Sequence, residues 1–170
     1  TKTCIFCPPT CYIDFSRNLI KQCSKDIKLG SQQLDFESSL PLTGGTNSKM
    51  LEDLGCDFVI IGHSEQRIYL NESNKILSNK LIKAIDMNLK PIFCVGESLQ
   101  QKKASKTKDI LTDQLSAIPS NLVNECIIAY EPVWAIGTGE NAEISYIKEI
   151  HSFIKESLKN KINSANYISV

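Results

Sequence analysis

Short apolar runs alternate with amphipathic stretches along the sequence, and this order constrains the fold more than any other feature. Six runs are typical of strands buried on both faces, because they are rich in Ile, Val, Phe and Cys and mostly uninterrupted. They span residues 3–7, 27–32, 57–61, 91–95, 126–131 and 167–170. Strands that alternate with helices form a parallel sheet with right-handed crossovers, which predicts an α/β fold. The alternation does not separate an open sheet from a barrel.

The stretches between these strands carry apolar side chains at helical spacing, three and four residues apart. One stripe precedes the fourth predicted strand and another follows the fifth. Their members are Ile76, Leu77, Leu81, Ile82, Ile85 and Leu89, and then Ile144, Ile147, Ile150, Ile154 and Leu158. A shorter helix is predicted over residues 48–54, with Asn47 as its N-cap and Gly55 just after its end. No linker or change in composition divides the sequence, so residues 1–170 are predicted to form one domain.

The balance of charges and the hydropathy of the sequence argue against two classes of protein, those that bind nucleic acid and those that span or bind a membrane. Nineteen basic residues balance nineteen acidic ones, which argues against a broad basic surface for nucleic acid or an anionic membrane. No apolar stretch approaches the ~18 residues that span a bilayer. We therefore expect neither nucleic acid nor a membrane among the partners.

The seven cysteines are odd in number and scattered, a usage typical of reduced thiols in the cytoplasm. Cys4 and Cys7 have the spacing of a metal or redox pair. They belong to a predicted strand, however, where an odd offset sends side chains to opposite faces. No second pair follows, so we expect no metal site.

Three segments that carry reactive side chains each follow or end a predicted strand, at residues 60–67, 91–97 and 129–139. In the first, His63 precedes polar residues that can open a helix. Unpaired backbone N–H groups there favour a neutral imidazole, which can donate to a carbonyl oxygen. A purely structural histidine is the alternative. In the second, we interpret Cys94 as a small core residue, because no adjacent base is present.

In the third segment, Glu131 ends an apolar strand and a glycine-rich loop follows. A partly desolvated carboxylate has a raised pKa, which suits a general base near neutral pH. The glycines allow the loop to close and a backbone N–H to approach a phosphate. An exposed glutamate at a strand end is the alternative. Exposed Trp134 and Ile136 would be unfavourable in an idle loop, which favours a lid.

Together and in this order, GHSEQR at 62–67, CVGE at 94–97 and AYEPVWAIGTG at 129–139 closely resemble the motifs of triosephosphate isomerases. The resemblance extends over essentially the whole chain. It implies a TIM (β/α)8 barrel in which the six predicted strands are strands two to seven. The barrel would be incomplete here, truncated at both ends, because the first and last β/α units lie outside these 170 residues.

The resemblance also implies roles for individual residues. Glu131 becomes the base that moves protons between adjacent carbons, and His63 the neutral electrophile. Ser64 and Glu65 support them, with Glu65 matching a buried family carboxylate. No metal or organic cofactor is implied. Residues 132–139 correspond to a lid with the Gly137 amide on the substrate phosphate, and the other lid residues are Trp134, Ile136 and Thr138.

The implied reaction interconverts dihydroxyacetone phosphate and glyceraldehyde 3-phosphate through an enediolate, in glycolysis and gluconeogenesis. The family is a homodimer, and Thr43 and Gly44 lie where it has its dimer-forming loop. The family's active-site lysine and its Tyr-Gly-Gly-Ser phosphate motif fall outside this chain. We therefore expect the 170 residues alone to be almost inactive. A non-catalytic fragment, or a binding or structural protein that kept the scaffold, is the alternative.

Overall fold

The computed structural model describes residues 3–23, 25–35 and 42–159. Its strands are β1 (Cys4–Phe6), β2 (Ile27–Ser31), β3 (Phe58–Ile61), β4 (Lys90–Val95) and β5 (Ile127–Tyr130). Five of the six predicted strands are therefore confirmed, with every boundary within one residue. The sixth, at 167–170, lies outside the described residues.

The described helices are α1 (Ile13–Gln22), α2 (Ser48–Asp53), α3 (Ser64–Tyr69), α4 (Asn74–Asp86), α5 (Leu99–Lys103), α6 (Thr107–Ser116) and α7 (Ile144–Lys159). Short 3-10 turns occupy Thr10–Tyr12, Ser120–Glu125 and Val133–Ala135. The predicted α2 is confirmed with its cap, since the Asn47 side chain accepts a hydrogen bond from the Met50 N–H at 2.9 Å. In the described part of the chain, no helix is long and apolar enough to cross a membrane.

The chain divides into two compact units. One comprises Thr1–Ile61 and Asn79–Ile92, and the other comprises Gly62–Ser78 and Phe93–Val170. The prediction of one domain over residues 1–170 stays a prediction. Strand β4 begins in the first unit and ends in the second, and the strands are hydrogen-bonded in chain order.

Each unit contributes its own strand pairs. In the first unit, β1 is parallel to β2, with Cys4 opposite Ile27, and β2 is parallel to β3. The Lys90 N–H donates to the Asp57 carbonyl at 2.8 Å, next to the start of β3. In the second unit, the Glu131 N–H donates to the Val95 carbonyl at 2.9 Å, just after β5. Sequential parallel strands with helical crossovers confirm the predicted α/β class.

Strands β2 to β5 are mostly buried or half-buried, as the uninterrupted apolar runs predict, but β1 is not. All of β4 after Lys90 is buried, whereas Cys4 and Phe6 of β1 are exposed. The expectation of burial on both faces is wrong for β1. Among the described strands it lies at the end of the order and pairs with β2 alone.

The predicted apolar stripe of α7 is buried over its later turns and exposed at its first residue. Ile150 is 1% exposed, and Ile154 and Leu158 are buried with it. Ile144 is 74% exposed. The periodic pattern therefore locates the inward face of α7 but not the point where the helix meets the core.

This contrast predicts unequal costs for one substitution made twice on α7. Ile150→Ala should lower the free energy of unfolding by about 2–5 kcal/mol, because it leaves a cavity in the core. Ile144→Ala is the matched control and should change it by less than about 0.5 kcal/mol. Urea denaturation measures both. Equal losses in the two variants would show that α7 packs differently.

Candidate active site

His63 is held at the start of a helix by a turn that requires glycine. Gly62 has φ 76°, in the left-handed region that favours glycine. His63 is the N-cap of α3, and its Nδ1 accepts a hydrogen bond from the Glu65 N–H at 3.4 Å. A nitrogen that accepts must carry a lone pair, so the ring proton is assigned to Nε2. This arrangement supports the predicted neutral imidazole.

Arg67 fixes the peptide that precedes His63, a role that the sequence did not reveal. Its Nε donates to the Gly62 carbonyl at 2.7 Å and its Nη2 to the Cys94 carbonyl at 3.1 Å. The guanidinium also lies over the Phe93 ring, 5.4 Å from its centroid. Burial lowers the pKa of Arg67 from its ordinary value. In the sequence, Arg67 is marked only by its place within the GHSEQR motif. Its hydrogen-bond partners are backbone carbonyls, and a pattern of residue types gives no information about those.

Glu131 directly follows β5, and its side chain is 16% exposed. One carboxylate oxygen, Oε1, accepts from the Ser64 N–H at 2.8 Å. The other, Oε2, lies 3.1 Å from His63 Nε2. With the ring proton on Nε2, the imidazole donates to the carboxylate. The structure therefore brings together Glu131, His63 and Ser64, three residues that the sequence singled out.

The surroundings of Glu131 shift its acidity in the direction that the sequence predicts. Burial raises the pKa of Glu131 above its ordinary value, and this is the largest influence. The Ser64 N–H, His63 and Arg67 oppose the rise in pKa because they stabilise the carboxylate. A carboxylate with a raised pKa is a stronger base than an exposed glutamate.

The expectation that Glu65 is a buried carboxylate is wrong. Its side chain is 72% exposed, because it lies in the first turn of α3 and only its backbone N–H meets the His63 ring. A carboxylate of this unit that is fully enclosed is that of Glu97. The sequence held a signal for it: Glu97 follows the apolar strand β4 as Glu131 follows β5.

The loop after Glu131 has a buried base and an exposed tip. Trp134 is buried, and its indole N–H donates to Glu97 Oε1 at 2.9 Å. Trp134 therefore belongs to the buried base of the loop. Thr138 Oγ1 donates to the Trp134 carbonyl at 3.0 Å, which closes a turn. Ile136 and Gly137 are exposed, and Gly137 has φ 68°. The lid role of these residues stays a prediction.

A close approach of two backbones explains the glycine of the CVGE motif. A Cβ on Gly96 would lie 1.8 Å from the Glu131 carbonyl oxygen, so no larger residue fits. The Gln114 side chain holds this glycine at both ends, accepting from its N–H at 2.8 Å and donating to its carbonyl at 2.9 Å. Beside Glu131 is a cavity of about 240 Å³. Its polar lining includes Ser64, Arg67, Ser98, Gln101 and Gln114.

The remaining predicted residues lie elsewhere in the described chain. Thr43 and Gly44 form an exposed turn of the first unit, in which the Gly45 N–H donates to the Leu42 carbonyl at 3.0 Å. Cys94 is buried in β4. Across the described residues, no three or more His, Cys, Asp or Glu side chains converge to hold a metal ion.

Comparison with known proteins decides the family. The family model described as triosephosphate isomerase matches residues 1–170. The chain belongs to the triosephosphate isomerase family. Its sheet with helical crossovers is that of the family's TIM barrel.

Curated triosephosphate isomerases from bacteria resemble the chain over most of its length. The protein from Francisella tularensis subsp. holarctica (strain LVS) is 42% identical over 155 residues, which cover 89% of this chain and 60% of that protein. The one from Hydrogenovibrio crunogenus is 38% identical over 157 residues, which cover 89% of this chain and 61% of that protein. The one from Alkaliphilus oremlandii is 36% identical over 161 residues, 92% of this chain and 64% of that protein. The chain thus spans roughly three fifths of the length of these relatives.

The raised pKa of Glu131 predicts a specific titration. In carboxyl-selective 13C NMR, Glu131 should titrate at a higher pH than exposed glutamates, because burial disfavours its charge. Glu65→Gln should lower the pKa of Glu131, because Glu65 contributes a nearby negative charge that raises it. Glu125→Gln is the control and should leave the titration unchanged, since Glu125 is exposed and not among the groups that shift this pKa. An ordinary titration for Glu131 would contradict the partly desolvated site.

Proposed function

We propose that this chain carries the proton-transfer residues of a triosephosphate isomerase, which interconverts dihydroxyacetone phosphate and D-glyceraldehyde 3-phosphate. The proposal depends on one observation above all. The partly buried carboxylate of Glu131 contacts the imidazole N–H of His63 through one oxygen and accepts a hydrogen bond from the Ser64 backbone N–H through the other. The names of the relatives support the same activity.

In the proposed reaction, the Glu131 carboxylate takes a proton from the substrate carbon next to the carbonyl. The electron pair of the broken C–H bond forms the enediolate, and negative charge builds up on the carbonyl oxygen. His63 Nε2–H donates a hydrogen bond to that oxygen. A proton also moves, relayed by His63, from the hydroxyl oxygen on the first carbon to the former carbonyl oxygen, and Glu131 returns its proton to the neighbouring carbon. No external oxidant or reductant takes part, because the substrate is only rearranged.

Substrate binding would reorganise the hydrogen bond between the two side chains. His63 Nε2 faces Glu131 Oε2 at 3.1 Å, and a substrate oxygen has to take the place of that carboxylate oxygen. The Ser64 N–H bond to Oε1 keeps Glu131 within reach meanwhile. Residues 132–139 act as the lid in this proposal, with the Gly137 amide, which is exposed here, on the phosphate. Closing the lid excludes water and strengthens the electrostatic stabilisation.

The wider setting follows from the family. We propose a homodimer in the cytoplasm, with Thr43 and Gly44 in the contact loop, that serves glycolysis and gluconeogenesis. Because the chain spans about 60% of its relatives, we also propose that residues 1–170 alone lack measurable turnover. The alternative of a non-catalytic protein predicts no activity even after the flanking family segments are added.

The sharpest kinetic test shortens the base by one methylene. Glu131→Asp, made in the full-length protein that carries this chain, should lower kcat by about 10²-fold or more, because the carboxylate retreats from the substrate carbon. KM should change much less, since substrate binding does not require the base. A coupled assay with glycerol 3-phosphate dehydrogenase measures both values.

The matched control is Glu125→Asp, which makes the same change at an exposed position in the Ser120–Glu125 turn. It should retain the activity of the unmodified protein. Near-normal turnover by Glu131→Asp would remove Glu131 from the role of base. The same assay on residues 1–170 alone tests the proposed inactivity of the isolated chain.

A further inference from the structure

The two ends of the loop that follows Glu131 are attached to the same buried carboxylate. At the near end, the Trp134 indole N–H donates to Glu97 Oε1 at 2.9 Å. At the far end, the Tyr146 hydroxyl of α7 donates to that same oxygen, also at 2.9 Å. Residues 136–141, between them, are exposed. The loop therefore has an exposed tip between two anchors, Trp134 and Tyr146, that share one acceptor.

The environment of Glu97 favours strong hydrogen bonds to both anchors. It is fully buried, and the Tyr130 hydroxyl donates to both of its oxygens at 3.1 and 3.0 Å. Hydrogen bonds to an ionised acceptor are about twice as strong as neutral ones. Burial raises the pKa of both Tyr130 and Tyr146, with the nearby Glu97 charge adding to the rise, so both phenols remain donors.

The Lys102 ammonium group also contacts both anchors, Trp134 and Tyr146. The Lys102 Nζ lies 3.3 Å from the centroid of the Trp134 ring and 4.4 Å from that of the Tyr146 ring. The two rings meet edge to face at 6.1 Å. The Tyr146 hydroxyl also lies 3.3 Å from Thr107 Oγ1, at the start of α6. Tyr146 is thus fixed by its ring and by its hydroxyl.

We propose that Tyr146 is a positioning residue that ties the far end of the loop to Glu97 and so sets the geometry in which the loop meets the substrate. The clamp consists of Glu97, Lys102, Trp134 and Tyr146. Fixing both ends of a flexible segment lowers the entropy that is lost when its tip becomes ordered on a ligand. The clamp therefore favours binding of the substrate phosphate without touching the reacting atoms. This inference rests on the proposed function of the loop as a lid.

The test uses Tyr146→Phe in the full-length protein, which removes the hydroxyl and keeps the ring. Amide hydrogen exchange in residues 136–143 should become several-fold faster, while exchange in α4 stays the same. KM should rise about fivefold, the equivalent of one lost hydrogen bond, and kcat should change less than about twofold. Lys102→Met should act in the same direction, because it removes the cation from both rings.

Tyr69→Phe is the matched control, because Tyr69 is 77% exposed and distant in sequence from the loop. It should leave both exchange and KM unchanged. Exchange in Tyr146→Phe equal to that of this control would overturn the clamp, and faster exchange with an unchanged KM would overturn the positioning role. The unmodified full-length protein could show no isomerase turnover while Tyr146→Phe still speeds amide exchange in residues 136–143. That result would support the clamp and contradict the proposed function.

Discussion

The hydrogen bond from the Ser64 N–H to Glu131 is the contact on which the site depends. It holds a partly buried carboxylate against the start of α3, where His63 serves as the N-cap. Two successive backbone N–H groups at that helix end donate hydrogen bonds to the site. The Ser64 N–H donates to Glu131 Oε1, and the Glu65 N–H donates to His63 Nδ1. One helix terminus therefore places the carboxylate and selects the ring nitrogen that donates.

Two further constraints keep this contact in register. The backbone of Gly96 passes so close to the Glu131 carbonyl that a side chain would collide with it. Arg67 binds the carbonyls of Gly62 and Cys94, and so holds the turn before His63. Glu97 then fixes the start of the loop through Trp134. The positions of Glu131 and His63 therefore depend on the groups packed around them.

Much of this organisation could be predicted from the sequence. The five described strands follow from uninterrupted apolar runs, and Glu131 and His63 stand out because they follow such runs. Burial was predicted less well: Glu65 was expected to be buried but is exposed, and β1 is more open than its composition indicates. Periodicity reports which residues share a face of one element, but it does not report what covers that face. Contacts between side chains and distant carbonyls, such as those of Arg67, leave no trace in a residue pattern.

The central claim is that Glu131 moves a proton to and from the substrate carbon. The most direct measurement incubates the full-length protein with dihydroxyacetone phosphate in D₂O and follows deuterium at the carbon-bound positions by ¹H NMR. We expect the unmodified protein to incorporate deuterium into substrate and product, because the proton held by a carboxylate can exchange with solvent. Glu131→Gln should incorporate none above the uncatalysed rate. Incorporation by Glu131→Gln at the rate of the unmodified protein would contradict the assignment of Glu131 as the base.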